Sequence, residues 1–257
     1  MKSSHEHPMH VNTNTRVRWN AIRRLDFLLN INGKSVLDLA SGMGYFSVQL
    51  SELGAKVLAT DIHENSLAYI RDTYGLTTQQ LNVESGEYPQ GPFDLILLCE
   101  VMEHLTDPAS VLSKARAVLA QDGVLLVTTP ALEGAFIHTA GKELGHHHGA
   151  EKHERNGFSR DELFNLFKKN GLTVTGHRYA IFYLSELFMQ LTKLVYLRRN
   201  EEYAGQADIL SATRSVSFKI LWAIYPLLNA IFSIEEKLLR NLGCKGHCHI
   251  IWGRRHA

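Results

Sequence analysis

Glu100-Val101-Met102-Glu103-His104 places two carboxylates and an imidazole at i, i+3 and i+4, a spacing that gathers all three on one face of a helical turn. Converging at a strand tip, such a set suits a divalent cation such as Mg²⁺ or Mn²⁺. Without a metal the same residues serve as a general base, with Glu103 orienting His104, or as a satisfied polar cluster. A second constellation lies upstream. Ser35 to Leu50 reads SVLDLASGMGYFSVQL: an apolar run containing Asp38, a break at Ser41-Gly42-Met43-Gly44, then the helical spacing of Phe46, Val48 and Leu50. Glycines at Gly42 and Gly44 let backbone approach a ligand where a Cβ would collide. The helix that follows turns its unpaired N–H groups and positive dipole end towards that break. A short strand, Lys56 to Thr60, ends in Asp61, placed to accept hydrogen bonds from the two hydroxyls of a ribose.

The elements that must hold these residues alternate between strand and helix. Strands are expected at 35–39, 56–60, 78–83, 93–99, 124–129, 172–181 and 247–253, with helices between most of them. That alternation implies parallel strands joined by right-handed crossovers, with ligands beyond the carboxyl ends of the strands. Gly42, Gly44, Asp61, Asn82 and Glu100 all fall at that edge. Asp107 begins a helix with Pro108 in its first turn, and Ser159-Arg160-Asp161-Glu162 matches a capping box. Upstream, Trp19, Ile22, Leu25, Leu28 and Leu29 predict a helix over about 16–29. Residues 1–15 are polar, rich in histidine and without an apolar period, which reads as a flexible or ligand-ordered arm.

In order along the chain, D-L-A-S-G-M-G, A-T-D-I and F-D-L-I-L-L-C-E-V-M-E-H-L resemble the class I S-adenosylmethionine-dependent methyltransferases, from about Val36 to about Thr129 and more loosely to Ile181. The resemblance implies an α/β fold: a Rossmann-like, doubly wound, seven-stranded sheet, mostly parallel with the last strand antiparallel. It implies S-adenosylmethionine as cofactor, held by Asp38, Ala40, Ser41, Gly42, Gly44, Asp61, Ile62, Asn82, Val83 and Glu100. Ala40 stands where the family usually has its first glycine. Asn82 and Val83 stand where it usually has an acid facing the adenine amino group, a role the Asn82 carbonyl can take more weakly. In the family the first helix covers the ligand, which would bring Arg18 to the methionine carboxylate. The Glu-x-x-Glu-His run is similar to that of the ubiquinone-pathway O-methyltransferases and of the small-RNA 3′-end 2′-O-methyltransferases. Those branches imply a metal on Glu100, Glu103, His104 and a loop histidine, here His153, with Glu103, His104 and His153 as the catalytic set.

The 257 residues are 45% hydrophobic and 21% charged, with a formal charge of +1, so no basic surface draws nucleic acid. A small-molecule or lipid-like acceptor fits better. Three cysteines and no leader pattern fit a cytoplasmic setting. The expected organisation is an arm at 1–15, a core at 16–181, a helical cap inserted at 182–243 between the last two strands, and a final core strand at 244–257. Ile220 to Ile234 carries no charge yet is shorter than the roughly 20 residues a span needs. The cap is therefore either a lid or a membrane-surface contact. Two other readings compete: an NAD-type oxidoreductase on Gly42-x-Gly44-x-x-Ser47 and Asp61, and a non-catalytic membrane-docking protein on the same scaffold. If His104 takes the proton or holds a metal, His104→Ala lowers turnover about a hundredfold while S-adenosylhomocysteine titration is unchanged. Normal turnover in that variant eliminates both roles.

Overall fold

In the strand Phe93–Cys99, Leu95 and Leu97 pack into the apolar layer on one side of the sheet, and Ile96 and Leu98 into the layer on the other. A strand apolar at successive positions has no solvent face, and it lies at the centre of a parallel sheet covered on both sides. The computed structural model describes residues 2–133, 154–197 and 216–256. Its strands are β1 (Ser35–Leu39), β2 (Lys56–Asp61), β3 (Thr77–Gln80), β4 (Phe93–Cys99), β5 (Leu119–Pro130), β6 (Leu172–Ala180) and β7 (Cys248–Arg255). They form one sheet in the order β3-β2-β1-β4-β5-β7-β6. β1 to β5 pair in parallel, and β7 runs antiparallel between β5 and β6. This is the expected Rossmann-like sheet with its last strand reversed.

The helices are α1 (Thr13–Ile22), α2 (Tyr45–Glu52), α3 (Glu64–Tyr74), α4 (Pro108–Val118), α5 (Arg160–Lys169), α6 (Tyr183–Leu197) and α7 (Val216–Asn241). One face of the sheet carries α1 and α2, through Val17, Trp19, Ile22 and Leu50, and is closed by Met189 of α6 and Phe232 of α7. The other carries α4 and α5 through Val111, Leu112, Leu163 and Phe167. The capping box of α5 is present, with Glu162 Oε2 accepting from the Ser159 N–H at 2.7 Å.

Three expectations need correction. The first helix starts earlier and ends sooner than the apolar spacing suggested. Asn12 caps it through Thr15 N–H at 3.0 Å, and the chain leaves it at Arg23. Leu25 and Leu28 re-enter the core through a separate short turn, which leaves Leu29 74% exposed. β3 stops at Gln80, short of Asn82 and Val83, because Asn82 Oδ1 accepts from the N–H groups of Glu84 (2.9 Å) and Ser85 (3.2 Å) and closes a turn of its own. The arm is seated on the core. Ser4 N–H and Oγ both donate to the Glu52 carboxylate, and His7 Nε2–H donates to Met43 O at 2.8 Å with its ring stacked on Tyr74. Polar composition suggested a loose segment, but these polar groups find partners on α2 and in the turn before it.

Between β6 and β7, α6 and α7 meet through Phe188 and Phe232, and Asn229 of α7 accepts from Asn20 of α1 at 2.7 Å. α7 continues through Pro226. No helix among the described residues is long and apolar enough to cross a membrane. Burial pulls the His7 imidazole down to about 4 from its ordinary 6.5. A base with a depressed folded-state pKa opposes its seat once protonated, so docking of the arm weakens as pH falls from 6.5 towards 4, by up to about tenfold per pH unit. Hydrogen exchange on residues 2–12 checks this: protection is expected at pH 8 and progressive loss below 6.5. A His7→Gln variant should reduce that pH dependence, the remainder belonging to His10, which burial likewise pulls down to about 4.

Candidate active site

The break after β1 is built from left-handed backbone. Ala40, Gly42 and Gly44 have φ of 54°, 55° and 76°. Ala40 takes the conformation the usual glycine would take, at a cost of about 1–2 kcal/mol, so the turn keeps its path despite the substitution. Gly44 has no room for a side chain: a Cβ there would lie 2.6 Å from Ile70. Ser41 N–H donates to Thr60 O at 2.8 Å, and Gly42 N–H donates to Asp61 Oδ2 at 2.8 Å. The other Asp61 oxygen accepts from His63 N–H at 2.9 Å. One carboxylate thus fastens the exits of β1 and β2 together. Beside it Ile62 is half exposed, and the Ser41 hydroxyl is buried in the turn without a hydrogen-bond partner.

Asp38, in β1 ahead of this turn, is buried. Its Oδ2 accepts from Ser47 Oγ at 2.6 Å, and burial first, then the Asp61 charge, pushes its carboxyl up to about 7. Asn82 is at the expected edge, yet its carbonyl is committed to the two N–H groups of its own turn, and Val83 is buried in the core. That corrects the expectation of an open acceptor at Asn82. The next residue ties the edge further: Glu84 Oε1 accepts from Thr106 N–H (2.9 Å), Thr106 Oγ1 (2.5 Å) and Asp107 N–H (3.1 Å).

The run Glu100 to His104 is not a helical face. Glu100 leaves β4 left-handed at φ 56°, Val101 is irregular, and Met102–His104 makes one tight turn before the chain extends again. Glu100 pairs with Arg18 at 3.2 Å and accepts from Thr128 Oγ1 at 3.2 Å. Glu103 accepts from Thr129 Oγ1 at 3.0 Å. Thr128 and Thr129 are successive residues of β5 and point to opposite faces of the sheet, so the two carboxylates are received on opposite sides. Among the described residues no group of three or more His, Cys, Asp or Glu is gathered to hold a metal ion. Glu100, Glu103 and His104 do not form such a group by themselves, and His153, the fourth expected ligand, lies outside the described residues.

Arg18 is buried rather than open towards the ligand edge. Besides Glu100 it donates to Thr128 Oγ1 (3.2 Å) and to Asn14 O (3.2 Å). Burial first, then the charge of Glu100, pushes the Glu103 carboxyl up to about 8, so near neutral pH it can hold or take a proton. Its backbone oxygen accepts from the N–H groups of Glu154 (3.0 Å) and Arg155 (3.2 Å), anchoring the chain where it returns to the sheet. The sequence reading missed Thr128 and Thr129, and it named Ser47 only in the alternative oxidoreductase pattern. The available signal for the threonines was a pair of hydroxyls closing the apolar run Val124–Val127.

A family model described as "Methyltransferase domain" matches residues 14–177. The chain belongs to that family. The ubiquinone biosynthesis O-methyltransferase of Pseudomonas aeruginosa is 30% identical over 132 residues, 48% of this chain and 53% of that protein. The chain spans about half the length of the curated relatives it matches. Its fold is similar to that of an S-adenosylmethionine-dependent methyltransferase from Mesorhizobium loti, at TM-score 0.57 and 16% identity over 95% of this chain and 100% of that one. A methyltransferase from Archaeoglobus fulgidus aligns at TM-score 0.56 and 16% identity, covering 92% of each chain.

The methyltransferase turn makes a measurable prediction. Gly44→Ala meets both a left-handed φ and the Ile70 side chain, while Gly33→Ala meets a left-handed φ of 76° with nothing within 4 Å. Urea unfolding should show about 1 kcal/mol lost at Gly33 and about 2–4 kcal/mol at Gly44. Equal losses would mean that Ile70 does not crowd the turn.

Proposed function

We propose that the protein is an S-adenosylmethionine-dependent methyltransferase that methylates an oxygen of a small or lipid-like acceptor. The observation that carries the reading is the left-handed turn Ala40–Gly44 fastened to Asp61 at the tip of β2. The residues fit the adenosyl ligand. Asp61 uses two of its roughly four acceptor directions on backbone N–H groups and keeps the others for ribose hydroxyls. Ile62 offers a half-exposed apolar side chain beside it, and the unpartnered Ser41 hydroxyl lies in the turn itself. Family membership supports the reaction class, and the ubiquinone O-methyltransferase relatives support oxygen as the nucleophile.

When bound, the sulfonium supplies an activated methyl group and a good leaving group. The protein's part is alignment and removal of one proton. Glu103 is suited to take that proton: it is buried, its carboxyl is raised to about 8, and Thr129 steadies one oxygen. His104 lies on the same short turn as Glu103. Glu100 is engaged by Arg18 and Thr128, so the described donors do not fit a metal-assisted route and no step is drawn through one.

Calorimetry should show binding of S-adenosylhomocysteine and none of NADH; the reverse supports the oxidoreductase reading. Labelled methyl from S-adenosylmethionine, incubated with a cell extract, should appear in the organic phase. A Glu103 base must be deprotonated, so transfer rises with pH through about 8 and levels above it. Glu103→Gln should remove that dependence and lower transfer about a hundredfold or more at unchanged S-adenosylhomocysteine affinity. Undiminished transfer in the Glu103→Gln variant would remove this carboxylate from the mechanism.

A further inference from the structure

The longest helix of the described chain, α7, is divided lengthwise. Tyr225, Phe232, Glu235 and Glu236 are buried against the body of the protein. The opposite side exposes Ile220, Ile224, Leu227, Ile231, Ile234 and Leu238, at steps of four and three residues. That spacing draws one apolar stripe about 27 Å long. Leu227 and Ile234 are 68% and 67% exposed, and on α6 the side chains of Leu187 and Leu191 are more than half exposed as well. Scattered apolar residues are normal on a surface, but a continuous stripe of this length is built to be covered.

The charges say by what. Among the described residues every carboxylate on α6 and α7 is turned inward. Glu235 accepts from the N–H groups of Leu184 and Ser185, Glu236 pairs with Arg24 (3.2 Å) and Arg240 (2.8 Å), and Glu186 is buried with an oxygen 3.3 Å from His247. The charges next to the stripe on α7 are the exposed Lys219 and Lys237, one at each end. A second copy fits this poorly. Two copies of the stripe paired antiparallel about its middle would set Lys219 against Lys237, with no exposed described acid on α7 to answer them.

We propose that α7 lies flat in the surface of a membrane bearing anionic headgroups, with the stripe below the headgroup level and Lys219 and Lys237 among the phosphates. A helix seated this way needs no spanning length, in keeping with its uncharged stretch of fifteen residues from Ile220 to Ile234. Its inner side is fixed to α1 by the Asn20–Asn229 hydrogen bond, and α1 carries Arg18 at the candidate site. Docking would therefore hold the site close to the lipid surface, where an acceptor dissolved in the bilayer can be met. The proposal stands on the surface alone and does not depend on the reaction proposed above.

The test uses the full chain in vesicle flotation, with phosphatidylcholine alone and with phosphatidylglycerol mixed into it. Binding to the mixed vesicles is expected to be roughly tenfold or more tighter and to weaken with salt. The double substitution Leu227→Asp, Ile234→Asp changes exposed residues only, and should abolish flotation while leaving the thermal unfolding curve and S-adenosylhomocysteine affinity unchanged. Lys219→Glu with Lys237→Glu should erase the preference for phosphatidylglycerol. Failure to float with either vesicle overturns the proposal. So does sedimentation showing a dimer in solution that the double aspartate variant dissolves, which would assign the stripe to a second copy.

Discussion

The ion pair of buried Arg18 and partly exposed Glu100 is the interaction on which the candidate site depends. It joins α1 to the exit of β4, with Thr128 of β5 completing the contact. Removing Glu100 would strand the buried Arg18 charge at about 3–5 kcal/mol, whatever the net worth of the intact pair. Its consequence for chemistry is separation. By engaging Glu100 on the α1 side of the sheet, the pair leaves Glu103 to Thr129 on the α4 side, where burial first and then the Glu100 charge raise its proton affinity against the lowering effects of Thr129 and Arg18. A change that freed Glu100 would alter both carboxylates at once.

Around this pair the strand exits are cross-linked by side chains rather than by the sheet. Asp61 joins the exits of β1 and β2, and Glu84 joins the turn after β3 to the segment after β4. Each is a carboxylate gathering backbone N–H groups that the ladder cannot satisfy once the strands end. The left-handed residues Ala40 and Glu100 stand on the neighbouring strands β1 and β4, directly after their last paired residues. Strained backbone persists only where its surroundings hold it, and here the Thr60 carbonyl bonded to Ser41 N–H and the Thr128 carbonyl bonded to Glu100 N–H do so.

Much of this was legible in the sequence, for a physical reason. The strands announced themselves through continuous apolar runs, and the turn through glycines whose conformations few residues share; both are local properties. The run Glu100 to His104 was misread because helical spacing of charges was taken to mean a helix. The backbone instead leaves β4 left-handed, a state that depends on the Thr128 carbonyl 28 residues away. Asn82 was misread for a similar reason: the same side chain can answer a ligand or its own following backbone, and the composition of residues 82–85 does not say which wins. The arm looked loose because its partners, Glu52 and Met43, lie far along the chain.

The cap was ambiguous in sequence because a lid and a surface-lying helix share one pattern, a helix with a broad apolar side. The proposed membrane seat rests on charge rather than on hydrophobicity. A lid closing on its own core has no use for an outward stripe edged by lysines. A free amphipathic helix would scatter acids among its exposed positions to stay soluble. In α7 the acids face inward, where Glu235 holds the start of α6 and Glu236 ties Arg24 and Arg240. Among the described residues, the same placement that fastens α7 to the body therefore leaves no acid on its outer side, where Lys219 and Lys237 are exposed.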